Sequence, residues 1–68
     1  MNTGDVIIAN VIAIGGDNIH SFMFPVNEKS TKPIIVEERL RLNGTYKIEI
    51  TRDATNFYIA KVISSVKK

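Results

Sequence analysis

Short runs rich in Ile and Val recur about every ten residues along this chain, and no stretch carries the 3.6-residue apolar period of an amphipathic helix. The pattern is clearest in residues 45–52, where Tyr46, Ile48 and Ile50 alternate with polar residues. Side chains two positions apart share one face of a strand, so this segment predicts a strand with one buried and one solvated face. The periodicity therefore predicts a chain built from strands.

Turn residues divide the chain into five predicted strands. Gly15-Gly16-Asp17-Asn18 and Asn43-Gly44 are strong turn signals, and residues 27–32 and 53–56 are polar loops. The segment Glu38–Leu42 fits either an extension of the third strand or a short helical turn. The predicted strands are Val6–Ile14, Ile19–Val26, Ile34–Glu37, Thr45–Arg52 and Phe57–Val66.

Five short strands within 68 residues predict a single small domain over residues 1–68. The expected fold is all-β, a small five-stranded barrel that is closed or partly open, because closure removes exposed strand edges. OB-type and SH3-like barrels both fit the spacing. The long first strand, with a Gly-rich end that allows it to bend, favours the OB type.

The composition also predicts where the protein resides. No apolar stretch approaches the ~20 residues of a membrane helix, and residues 6–14 lack the features of a secretory signal. The absence of Cys fits a reducing compartment. We therefore expect a cytoplasmic protein with no membrane partner. Its abundance of Ile and Lys without Cys or Trp resembles the composition of thermophilic archaeal proteins.

The residues needed for catalysis or metal binding do not occur in a usable pattern, which predicts that the chain is not an enzyme and needs no cofactor. There is one His and no Cys, whereas zinc sites take several such ligands. Glu37 and Glu38 are adjacent and would point to opposite faces of a strand, so they cannot act as a carboxylate pair. Gly15-Gly16 lacks the downstream Lys of a phosphate-binding loop.

Aromatic and basic residues instead indicate a protein that binds RNA or single-stranded DNA. The net charge is +2, and the Lys and Arg residues are concentrated in the second half of the chain. In OB barrels the ligand lies across strands two and three, between the loop joining strands one and two and the loop joining strands four and five. Bases stack on aromatic rings while Lys and Arg contact phosphates. The predicted stacking residues are Phe22, Phe24 and Phe57, and the predicted phosphate contacts are Lys32, Arg39, Arg41, Arg52 and Lys61.

The two Phe residues of the second strand also have a structural interpretation. Phe22 and Phe24 share one face of that strand with His20 and could equally be core residues. In so small a barrel, at least one of the two is expected to belong to the core. His20 is expected to be a half-exposed strand residue.

Three segments resemble the TRAM domain, a small OB-type RNA-binding barrel. Residues 15–19 are similar to the family's Gly-Asp-Gly-Ile turn, with Asn18 in place of the second Gly, and Gly4-Asp5-Val6 is similar to the entry to its first strand. Residues 43–62 are similar to its last two strands, with their Gly-led turn and closing aromatic-x-x-Ala pattern. The resemblance implies RNA binding through an aromatic and basic face, or an accessory role beside a catalytic partner, and it carries over no catalytic residue.

A second hypothesis is a protein-interaction module. The small size, the modest charge and the excess of Ile and Val fit a small subunit, or a homodimer, within a larger nucleic acid-processing complex. The two hypotheses differ in what surrounds Phe22 and Phe24, because a basic rim favours nucleic acid and an aliphatic rim favours a protein.

Overall fold

A computed structural model describes residues 2–17, 19–26, 29–30 and 32–66 of the chain. The predicted tail Lys67-Lys68 and parts of two predicted turns (Asn18, and Asn27, Glu28 and Thr31) lie outside these residues. The described residues contain five strands and no helix, and so no helix long and apolar enough to cross a membrane. The strands are β1 (Val6–Ile14), β2 (Ser21–Pro25), β3 (Ile34–Val36), β4 (Thr45–Asp53) and β5 (Tyr58–Ser65).

The strands close into a barrel in the order β1-β2-β3-β5-β4, which confirms the predicted all-β five-stranded barrel. β1 pairs antiparallel with both β2 and β4, and β3 pairs antiparallel with β2. A short parallel pairing of β3 with β5 completes the closure. Strands β1 to β4 thus have the spatial order 4-1-2-3, which defines a Greek key.

The barrel interior is filled by the alternate residues that the strand patterns predict. Met23, Ile34, Ile48 and Ile50 are the largest of its fully buried side chains, and Tyr46, Tyr58 and Val62 pack against the core. The aliphatic members are stiff at χ1 and suit a pleated surface. Burying each such side chain contributes roughly 1.5–3 kcal/mol.

The predicted second strand begins two residues too early. The backbone N–H groups of Ile19 and His20 donate to Oδ1 of Asp17, at 2.9 and 3.2 Å, so these residues belong to the turn after β1. β2 therefore begins at Ser21.

The ambiguous segment after β3 is neither a strand nor a helical turn. The chain bends at Glu37 and Glu38, and Leu40 returns to join the core. The buried hydroxyl of Ser21 donates to the carbonyl oxygen of Glu38 (2.7 Å) and accepts from the amide of Leu40 (3.0 Å). This side chain satisfies two backbone groups that a strand ladder would otherwise have paired.

The Asn43-Gly44 turn forms as the sequence predicts. Asn43 has φ 66°, and the amide of Gly44 donates to the carbonyl oxygen of Arg41 at 2.9 Å. The Tyr46 ring covers this turn, and its hydroxyl accepts from the Arg41 amide at 3.1 Å. A Cβ on Gly44 would lie 2.8 Å from Tyr46 Cε2 and 2.9 Å from the Arg41 carbonyl oxygen, so only glycine fits.

Candidate nucleic-acid interface

The outer face of β2, β3 and β5 carries a row of three apolar side chains. Ser21 and Met23 point into the barrel, so Phe22 and Phe24 lie on the outside, and the prediction that one of them belongs to the core is wrong. Phe22 pairs with Ile35 of β3, and Ile35 pairs with Ile59 of β5. All three side chains are half-buried and form the floor of a surface groove of about 420 Å³.

Loops close the two ends of this groove. At one end lies the turn between β1 and β2, which contributes Gly15, Gly16, Asp17 and His20. At the other end lies Phe57, whose successor Tyr58 donates its amide to the carbonyl oxygen of Pro33 at 2.9 Å. The groove therefore crosses β2 and β3 between the β1–β2 and β4–β5 loops, where OB barrels hold their ligands.

The β1–β2 turn owes its shape to Asp17. Its Oδ1 accepts the amides of Ile19 and His20, and its Oδ2 lies 2.7 Å from Nδ1 of His20. The bond from the Ile19 amide, followed by those from the His20 ring and amide, lowers the pKa of Asp17 to about 2. Asp17 is therefore anionic at neutral pH, with both oxygens engaged within the turn.

Among the described residues, the lining of the groove carries carboxylates but no cation from Lys or Arg. Glu37, two residues after Ile35 on the same face of the chain, completes the lining. Phe24 lies on the outer face of β2 beyond Phe22, is half-buried and does not line the groove. Of the predicted stacking residues, the structure thus brings Phe22 and Phe57 to one site and leaves Phe24 beside it.

The side-chain amine of Lys32 is bonded to other residues of the protein. Its Nζ lies 2.7 Å from Oδ1 of Asp53, donates to the carbonyl oxygen of Ala54 at 2.9 Å, and lies 4.2 Å from the centroid of the Tyr58 ring. The hydrogen bond to Asp53 is the main cause of the raised pKa of Lys32. This amine joins the start of β3 to the β4–β5 loop and does not line the groove.

The other predicted cations are exposed and spread over the surface. Arg39 and Arg41 lie in the irregular segment between β3 and β4. Arg52 pairs with Ile59 and so lies on the strand next to the groove floor. Lys61 lines a neighbouring cleft of about 350 Å³. Glu37 lines both this cleft and the groove. Arg52 and Lys61 are therefore the predicted cations closest to the groove in the sheet.

Seven lining residues were absent from the predicted site: Gly15, Gly16, Asp17, His20, Ile35, Glu37 and Ile59. Ile35 and Ile59 lie within apolar runs, so the sequence pattern does not show which face they occupy. The pairing of β2 with β3 brings Ile35 beside Phe22, and the pairing of β3 with β5 adds Ile59. The spacing of Asp17 and His20 was the available signal for a built turn. Within the described residues, no three His, Cys, Asp or Glu side chains lie together as metal ligands would.

No protein-family model, curated protein or solved structure matches this chain.

Proposed function

We propose that this barrel binds single-stranded nucleic acid, RNA or DNA, without catalysis, in the groove between the β1–β2 turn and Phe57. The observation that carries the proposal is the position of two half-buried Phe rings in one groove across β2 and β3. The Greek-key order of the strands supports an OB-type barrel, in which this face is the ligand surface. TRAM-like RNA binding remains part of the same proposal.

The charges of the site favour one orientation of the strand. Asp17 and Glu37 would repel phosphates from the groove. Arg52 of β4 and Lys61 of β5 lie instead on the side of the groove that these two strands form. We therefore expect the bases to enter the groove, where Phe22 and Phe57 are available for stacking, and the phosphates to follow β5. Base–aromatic stacking of this kind contributes about 1–3 kcal/mol per base.

Fluorescence anisotropy with labelled RNA and DNA oligonucleotides, at low and at physiological salt, tests the proposal. We expect micromolar or tighter binding that weakens as salt rises, because bound phosphates release counterions. Phe22→Leu keeps an apolar side chain but removes the stacking ring, and it should weaken binding at least fivefold, or about 1 kcal/mol. Phe24→Leu is the matched control, since Phe24 lies on the same strand face outside the groove. Absence of binding at low salt, or equal losses in the two variants, contradicts the proposal.

A second candidate function is a protein-interaction module, and the aliphatic part of the groove floor favours it. Ile35 and Ile59 form two of the three floor positions, and no Lys or Arg in the part of the chain that the structure describes lines the groove. Such a site would bind an apolar peptide segment of a larger complex, or a second copy of the chain, with little dependence on salt. A pull-down with immobilised protein at high salt, compared with the Ile59→Asp variant, distinguishes this function from nucleic acid binding.

A further inference from the structure

The carboxylate of Glu37 lies at the edge of the groove. Its side chain is exposed, and among the described residues it has no hydrogen-bond or ion-pair partner. Asp17 differs, because both of its oxygens are already bonded within the β1–β2 turn. Glu37 is thus the groove carboxylate that is available to a ligand.

The position of Glu37 relates it directly to the groove floor. It follows Ile35 by two residues, and Ile35 pairs with Phe22 on the neighbouring strand. A base stacked on Phe22 above Ile35 can turn in its own plane so that one edge lies along β3, toward Glu37. An ionised carboxylate only accepts hydrogen bonds, so this position selects for the donors on that edge.

We infer that the groove prefers guanine, with the Glu37 carboxylate accepting from its Watson–Crick edge; this inference rests on the proposed function. Guanine presents two adjacent donors, N1–H and the N2 amino group, which match the two oxygens of one carboxylate. Adenine and cytosine each present one amino group beside a ring-nitrogen acceptor, and uracil presents a single N–H between two carbonyl oxygens. Single-stranded RNA exposes these edges to side chains.

The test compares heptamers of uridine that carry one central guanosine, adenosine or inosine, by anisotropy with the wild-type protein. We expect the guanosine heptamer to bind about tenfold more tightly than the adenosine heptamer, as for other bidentate base contacts. Inosine lacks the N2 amino group and should bind with intermediate affinity. The inosine comparison needs no variant, so it does not depend on the folding of a mutant.

The Glu37→Gln variant should bind the guanosine and adenosine heptamers with nearly equal affinity. Glu38→Gln is the matched control, because it removes the neighbouring charge, which lies outside the groove lining, and should keep the guanosine preference. Equal wild-type affinity for the two heptamers, equal affinity for guanosine and inosine, or a preference that survives Glu37→Gln overturns the inference and leaves the proposed function intact. No binding to any heptamer overturns both.

Discussion

The hydroxyl of Ser21 accepts a hydrogen bond from the amide of Leu40 at 3.0 Å, and it is completely buried. The same hydroxyl donates to the Glu38 carbonyl oxygen, so one side chain anchors the bend that follows β3. Because Glu37 begins that bend and Phe22 follows Ser21, the contact also fixes two groove residues relative to each other.

Replacing Ser21 by Ala should destabilise the barrel by about 1–3 kcal/mol, because two backbone groups lose their partner in a buried place. Urea unfolding measures this difference. Ser64→Ala, on the exposed part of β5, is the control and should change stability by no more than about 0.5 kcal/mol. Equal stability of the two variants would show that water replaces the Ser21 hydroxyl.

Replacing Gly44 by Ala should destabilise the protein by about 1–3 kcal/mol, because the added Cβ meets the Arg41 carbonyl oxygen and the Tyr46 ring. Gly16→Ala is the matched control, since a Cβ there meets nothing within 4 Å. Thermal unfolding followed by circular dichroism compares the two. A wild-type midpoint for Gly44→Ala would mean that the turn and Tyr46 move apart without penalty.

The bonds to Asp17 should make stability depend on acidity. The pKa of Asp17 is lowered from 3.8 to about 2, so the folded state binds this proton less readily than the unfolded chain does. The resulting stabilisation is fully present above pH 3.8 and is lost as the pH falls toward 2. Side-chain carboxyl NMR titration should give a midpoint near 2, and Asp17→Asn should remove this part of the acid dependence. A midpoint at 3.8 would contradict the turn geometry.

Lys32 should contribute to stability and not to nucleic acid affinity. Lys32→Met keeps an apolar stem beside Tyr58 but removes the bonds to Asp53 and Ala54, so the unfolding midpoint should fall while oligonucleotide affinity stays unchanged. Arg52→Ala is the comparison and should weaken binding and reduce the salt slope by about one. An equal loss of affinity in both variants would mean that Lys32 leaves Asp53 to bind phosphate.

Local patterns predicted the strands well wherever the backbone follows a simple ladder. The predicted bounds of the first strand match β1, and the alternation of Tyr46, Ile48 and Ile50 placed β4 to within one residue. The larger errors in the strand bounds occur where a side chain, in place of a neighbouring strand, bonds the backbone. Asp17 does this before β2, and Ser21 does it after β3. A hydrophobic pattern carries no information about such side-chain bonds to the backbone.

The groove was harder to predict than the strands because its floor depends on pairing between strands. Phe22 and Phe57 were predicted as site residues from their type and position. Glu37 was considered only as a possible carboxylate partner of Glu38, because its place near Phe22 depends on the β2–β3 register. The ion pair between Lys32 and Asp53 likewise joins residues that are far apart in sequence. Composition cannot predict such a pair.

The strand order has a consequence for how the protein is made. Val6 in β1 pairs with Glu49 in β4, and β3 finds its second neighbour only in β5, so closure depends on contacts that are distant along the chain. Such contacts form slowly compared with local hairpins. Until β4 and β5 are in place, a sheet of β1 to β3 has two unpaired edges, one on β1 and one on β3. Because unpaired edges invite pairing with other chains, we expect β4 and β5 to protect the folding chain from association as well as to complete the barrel.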